Sequence, residues 1–127
     1  MMSNCLIDTS SWIEALRIDG DPQVRLRVSG LMNQGKACLC DMVLLELWKG
    51  VRGDRERKGL KRLEEGLLLL NTGKDVWDMA KELALTCRSK SVTVPPTDLL
   101  VFACAARHRV DLEHSDEHFE LIRQAIK

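Results

Sequence analysis

The chain has 127 residues, the usual size of one folding unit, and 45% of them are hydrophobic, enough to bury a real core. Nineteen basic and nineteen acidic residues cancel, so no global positive field marks the protein for nucleic acid, and any such binding must rest on local patches. The opening MMSNCLIDTSSW lacks a positive leader and an apolar run of signal-peptide length, and nothing approaches the ~20 apolar residues of a membrane span, so the expectation is one cytoplasmic domain over residues 1–127.

In chain order, Asn4 to Ile7 reads as a short buried strand, and Ser10 to Arg17 as a helix. Gly20-Asp21-Pro22 breaks the chain. Val24, Val28, Leu31 and Met32 then recur at helical spacing within Gln23 to Gln34, and Gly35 ends that helix. Lys36 to Cys40 is a second strand. Asp41 is expected to cap a helix running from Met42 to Val51. Gly53 interrupts it, and a charged helix follows from Asp54 to Glu65. Leu67 to Leu70 is a candidate strand, and Asp75 to Arg88 an amphipathic helix with Val76, Ala80, Leu83 and Cys87 on one face. Ser91 to Val94 reads as extended. Thr97 is expected to cap a helix from Asp98 to His108, Val110 to His114 forms a last strand, and Asp116 to Ile126 a last helix. Short apolar strands alternating with helices predict a parallel sheet covered on both faces, an α/β architecture.

Five cysteines is an odd count, and Cys38 and Cys40 flank one residue in an apolar strand. Buried, reduced thiols are expected rather than a disulfide framework, and no second Cys/His pair has zinc-site spacing.

Four acids share one situation. Asp8 ends the first strand in LIDTSSWI, and sites in open α/β sheets form just beyond the carboxyl ends of strands. Glu46 sits mid-helix in MVLLELW, where an ionised carboxylate needs a partner and cannot cap; Gly50, one turn later, is expected to leave room beside it. Asp98 follows VPPT, whose prolines fix an extended approach to the helix. Asp116 follows the last strand. Each Asp alone could be an ordinary helix cap. Parallel topology, however, would deliver all four to one edge of the sheet. There they repel unless a divalent cation neutralises them, and hard oxygen ligands point to Mg²⁺ or Mn²⁺.

On LIDTSSWI, VLLELWKG, VPPTDLLVFACAARH and HSDEHFELI, in that order and spacing, the sequence resembles a PIN-domain ribonuclease, most closely the VapC-type toxins of bacterial toxin–antitoxin pairs. The resemblance spans nearly the whole chain. It implies a three-layer α/β/α PIN-like sandwich with a short central parallel sheet. It also implies a Mg²⁺- or Mn²⁺-dependent endoribonuclease that is usually a homodimer and is held inactive by a cognate antitoxin. Asp8, Glu46 and Asp98 match the family's three core acids, Asp116 its more variable fourth, and Ser10 the hydroxyl that orients site groups. The chain departs from the pattern at His118, where many relatives carry a second acid, and at His114, where Thr is frequent. Asp111, Glu113 and Glu117 lie near enough to stand in for Asp116.

RNA must reach an acidic pocket, so basic residues should flank it. Lys49, Arg52, Arg55, Arg57, Lys58, Lys61 and Arg62 form the densest basic stretch, diluted by Asp54, Glu56, Glu64 and Glu65. A solvated helix accounts for most of these charges. Lys49 and Arg52, just beyond Glu46, are the expected RNA contacts. His114, Asp116 and His118 are spaced like a metal run, but the run crosses a strand-to-helix junction, so the three need not converge, and ordinary histidines, at the surface or behind the site's ligands, are expected. Trp12 and Trp48 are expected in the core, with a partner-binding groove as the alternative. An aspartyl-nucleophile phosphatase would need an acid where Ser10 stands, and a phosphoacceptor receiver domain would need an acidic pair on the first strand and a late lysine. The remaining rival is a PIN-like protein that binds RNA or a partner without catalysis.

Overall fold

A computed structural model describes residues 4–127; Met1, Met2 and Ser3, the start of the segment read above as leader-free, lie outside the described residues. Four strands, β1 (Cys5–Ile7), β2 (Ala37–Cys40), β3 (Leu68–Leu70) and β4 (Asp111–Glu113), form one sheet in the order β3-β2-β1-β4, and every pairing is parallel. Seven helices connect and cover them among the described residues: α1 (Thr9–Leu16), α2 (Pro22–Asn33), α3 (Asp41–Lys49), α4 (Gly53–Gly66), α5 (Lys74–Ser89), α6 (Pro96–His108) and α7 (His118–Ala125). None is long and apolar enough to cross a membrane.

β1 and β2 are buried along their whole length. That is why CLI and ACLC are continuous apolar runs: strands covered on both faces need no polar side. β3 and β4 are the partly exposed edges. α1 packs on α2, while α5, α6 and α7 pack on one another, and α3 touches α1, α4 and α6. The result is the expected α/β/α sandwich. Trp12 and Phe119 are the largest fully buried side chains, so Trp12 belongs to the core. Trp48 is half-buried, and its Nε1 donates to Glu64 Oε1 at 2.7 Å. All five cysteines are buried and free. Burial first, then the charges of Asp111 and Glu113, push the Cys5 thiol up to about 11, so it is inert near neutral pH.

Local chemistry moves several boundaries. Cys40 rather than Asp41 occupies the cap of α3, and Asp41 is its first helical residue. Pro95 rather than Thr97 occupies the cap of α6, because Pro96 already has a φ suited to the first turn. Ser91 to Val94 joins no sheet. Ser91 adopts a left-handed φ of 60°, its N–H donates to Arg88 O (3.1 Å), and Val92 N–H donates to Cys87 O (2.8 Å). Those two bonds form a Schellman cap on α5, which uses backbone groups a strand would have needed.

In the sheet, β1 lies between β2 and β4, so connections leave its neighbourhood in opposite directions. Such a switch point leaves a crevice beyond the carboxyl ends of the two strands. Here those ends lead into Asp8 and into the segment from His114 to Glu117.

Candidate active site

Asp8 follows β1 with extended backbone and caps α1. Its Oδ2 accepts from the Ser10 N–H (3.0 Å) and from the Ser10 hydroxyl (2.6 Å), and the residue is only 4% exposed. Ser10 Oγ also accepts from the Ser115 N–H at 3.0 Å, and Asp8 N–H donates to Glu113 O at 2.9 Å. Ser10 therefore ties the end of β1 to the end of β4 and holds one carboxylate oxygen of Asp8 in place. Capping and facing the crevice are not alternatives for Asp8.

Asp98 is the third residue of α6, placed in its first turn by the two prolines, and it is buried. Burial raises its pKa. A hydrogen bond from His118 opposes the shift, while the charges of Asp116 and Asp8 push it further up. The two aspartates that follow the adjacent strands are thus both electrostatically close to Asp98.

Asp116 was expected to open the last helix, but α7 begins at His118. Asp116 Oδ1 accepts from the His118 N–H at 3.0 Å, which folds the chain so that both side chains meet Asp98. His118 Nδ1 lies 2.9 Å from Asp98 Oδ2 and 3.0 Å from Asp116 Oδ1. One donor atom from each of the three residues lies within 4.8 Å of the others. Asp116 and His118 thus meet at Asp98, while His114, the third member of the run, is not part of this group. Desolvation lowers the His118 pKa, but the bond to Asp98 and the charges of Asp116 and Asp98 outweigh it, and the net shift is upward.

Glu46 is half-buried on α3 and is neither isolated nor in an ion pair among the described residues. Its Oε1 accepts from Thr9 Oγ1 at 2.8 Å, and Thr9 directly follows Asp8. Glu46 is thereby joined to the site through α1. An added Cβ at Gly50 would make only ordinary contacts, with the backbone oxygens of Leu47 and Glu46.

The other candidates separate cleanly. Glu113 accepts from Arg27 Nε (2.8 Å) and from the Ser11 hydroxyl (2.8 Å), so it braces β4 against α1 and α2. Glu117 is the exposed cap position of α7. His114 turns to Phe119, with ring centroids 4.9 Å apart, and its Nε2 lies 3.4 Å from Glu120 Oε1. Lys49 and Arg52 are exposed, and neither forms an ion pair among the described residues. A surface concavity of about 450 Å³ between α2 and β4, lined in part by Leu26, Arg27 and Leu31, contains none of the clustered acids.

Two residues escaped the sequence reading in this role. His118 had a usable signal, the Asp-x-His spacing directly after a strand. Thr9 had only its position beside Asp8. Asp98, Asp116 and His118 offer two carboxylates and one imidazole within reach of one another, a donor set suited to a divalent cation, and the charge of Asp8 acts on Asp98 beside them.

A PIN domain family model matches residues 5–124. Ribonuclease VapC11 of Mycobacterium tuberculosis is 31% identical over 92% of this chain and 90% of its own length. Ribonuclease VapC21 of the same organism is 33% identical over 80% of this chain and 75% of its own. Among solved structures, VapBC2 from Rickettsia felis bound to a DNA fragment from its promoter superposes with a TM-score of 0.76 over 93% of this chain and 92% of that one, at 16% identity. The chain is therefore a member of the PIN-domain family and groups with its VapC ribonucleases.

Proposed function

We propose that the protein is a metal-dependent endoribonuclease acting as the toxin of a type II toxin–antitoxin pair, and that residues 1–127 form a single PIN domain working in the cytoplasm. The observation that carries this reading is the donor cluster of Asp98 and Asp116 with His118, and the charge of Asp8, from the other side of the switch point, acting on Asp98 supports it. A carboxyl raised first by burial and then by its neighbours' charges is a poor arrangement by itself and a good one around a cation. The oxygen-rich donor set fits Mg²⁺ or Mn²⁺. Asp8, Asp98 and Asp116 would hold the ion, with Glu46 sharing it or orienting the attacking water.

When bound, the ion supplies a more acidic water and charge relief on the phosphate and the leaving oxygen. The chain's own residues supply position. Ser10 fixes the Asp8 carboxylate, the prolines before Asp98 fix the start of α6, and the Thr9 hydroxyl fixes Glu46 near α1. In-line attack of water oxygen on phosphorus breaks the bond to the 3′ oxygen and leaves a 3′-hydroxyl and a 5′-phosphate. Lys49, the last residue of α3, and Arg52, just beyond that helix, are exposed and would take phosphates of the RNA, so binding should weaken steeply with salt. The partners implied are an RNA substrate, a cognate antitoxin protein and a second copy of this chain.

The test is RNA cleavage by the purified protein. Wild type should cut, and EDTA or Asp98→Asn should abolish cutting while circular dichroism stays unchanged. Full cleavage in EDTA, or by Asp98→Asn, would overturn the reading.

A further inference from the structure

We infer that His118 is a direct nitrogen ligand of the ion in this site and that it turns the site's preference away from Mg²⁺ toward first-row transition ions such as Mn²⁺. The inference rests on the metal-dependent reading above and goes beyond it by assigning a ligand and a metal preference.

The geometry comes first. Nδ1 of His118 lies 2.9 Å from Asp98 Oδ2 and 3.0 Å from Asp116 Oδ1. Two ligand atoms at right angles, each about 2.1 Å from an ion, lie about 3.0 Å apart. The spacings that now serve hydrogen bonds therefore also serve as two edges of an octahedral shell. Nothing large has to move: the histidine exchanges its bonds to two carboxylates for one to the ion they share, with its proton carried on Nε2.

The frame comes second. The His118 N–H is held by Asp116 Oδ1, and the next residue, Phe119, is fully buried. The backbone at this position is therefore pinned on both sides. The His118 side chain remains 33% exposed, which leaves a hydrated ion an approach.

The chemistry comes third. Mg²⁺ is hard, sheds water reluctantly and favours oxygen, whereas imidazole nitrogen binds transition ions better. An aspartate at position 118 would complete an all-oxygen set with one more negative charge, equally suited to Mg²⁺. A histidine removes that charge and adds a softer donor.

The experiment measures binding, not turnover. Purified wild type, His118→Gln and His118→Asp are titrated with Mn²⁺ alone, followed by the paramagnetic resonance of the free ion, and with Mg²⁺ alone by calorimetry. Bound Mn²⁺ in the wild type should show nitrogen modulation of its electron spin echo that changes when only histidine is ¹⁵N-labelled. Loss of an outer partner of a ligand typically costs about 10–100-fold in affinity, so His118→Gln should weaken Mn²⁺ at least about tenfold. His118→Asp should shrink the ratio of Mn²⁺ to Mg²⁺ affinity severalfold. Bound Mn²⁺ without histidine modulation, or an unchanged ratio in His118→Asp, would overturn this inference and leave the metal-dependent reading standing. Failure of the wild type to bind Mn²⁺ and Mg²⁺ would overturn both.

Discussion

Helix α4 and the switch point of the sheet are both rich in charge, and they use it in opposite ways. Nine of the fourteen residues of α4 are charged, with both signs interspersed, and Leu60 is its one buried residue. Its Arg57–Asp54 pair, 3.8 Å apart, is largely exposed to water. Water and alternating sign make such charges cheap and nearly independent. At the switch point there are only a few groups, but Asp8 and Asp98 are buried, and the charges of Asp8 and Asp116 act together on Asp98. A site is marked by like charge held in a dry place, not by the number of charges.

The comparison can be broken in steps. The largest effect is expected at Asp8. Asp8→Asn keeps a capping side chain, so the fold should survive while RNA cleavage falls at least about 100-fold; wild-type cleavage would reduce Asp8 to a cap. Next is Ser10→Ala, which removes both the donor to Asp8 and the acceptor for Ser115 N–H. A loss of about 1–3 kcal/mol in urea denaturation is expected, and a loss too small to measure would mean that water replaces the hydroxyl.

A smaller effect comes from pH, measured on metal-free protein in EDTA. His118 is raised above its usual 6.5 in the folded state, so its stabilising contribution is complete below that value and is lost as pH rises through the folded pKa. Asp98, also raised, works in the same direction over a lower range: the fold resists its ionisation, so stability declines as pH climbs from near 3.8 through the raised value. The melting temperature should fall as pH rises above 6.5, and His118→Gln should flatten that fall; an equal slope in both proteins would contradict the assignment. The smallest effect is expected on α4. Arg57→Gln should change stability by less than about 0.5 kcal/mol, and a greater loss would show that its charges are not independent.

Much of this was readable before the structure. Continuous apolar runs at Cys5–Ile7 and Ala37–Cys40 announced strands buried on both faces, and acids placed after strands announced where a site could lie. What was not readable depended on hydrogen bonds between residues far apart or on competing caps. Thr9 reaches Glu46 across thirty-seven positions, and only the folded chain shows it. Ser91 to Val94 looks extended, but a left-handed serine commits its backbone to the end of α5. In the sequence His118 reads as an ordinary histidine, at the surface or behind the site's ligands, across a strand-to-helix junction whose helix is expected to open at Asp116. The helix starts two residues later, and the carboxylate that closes that turn brings the imidazole to the other acids.

The central claim is tested most directly by growing crystals in Mn²⁺ and recording anomalous diffraction at the manganese edge. The account predicts a peak among the side chains of Asp8, Asp98, Asp116 and His118. Peaks found only along α4 or other exposed acids, with none at the end of β1, would contradict it.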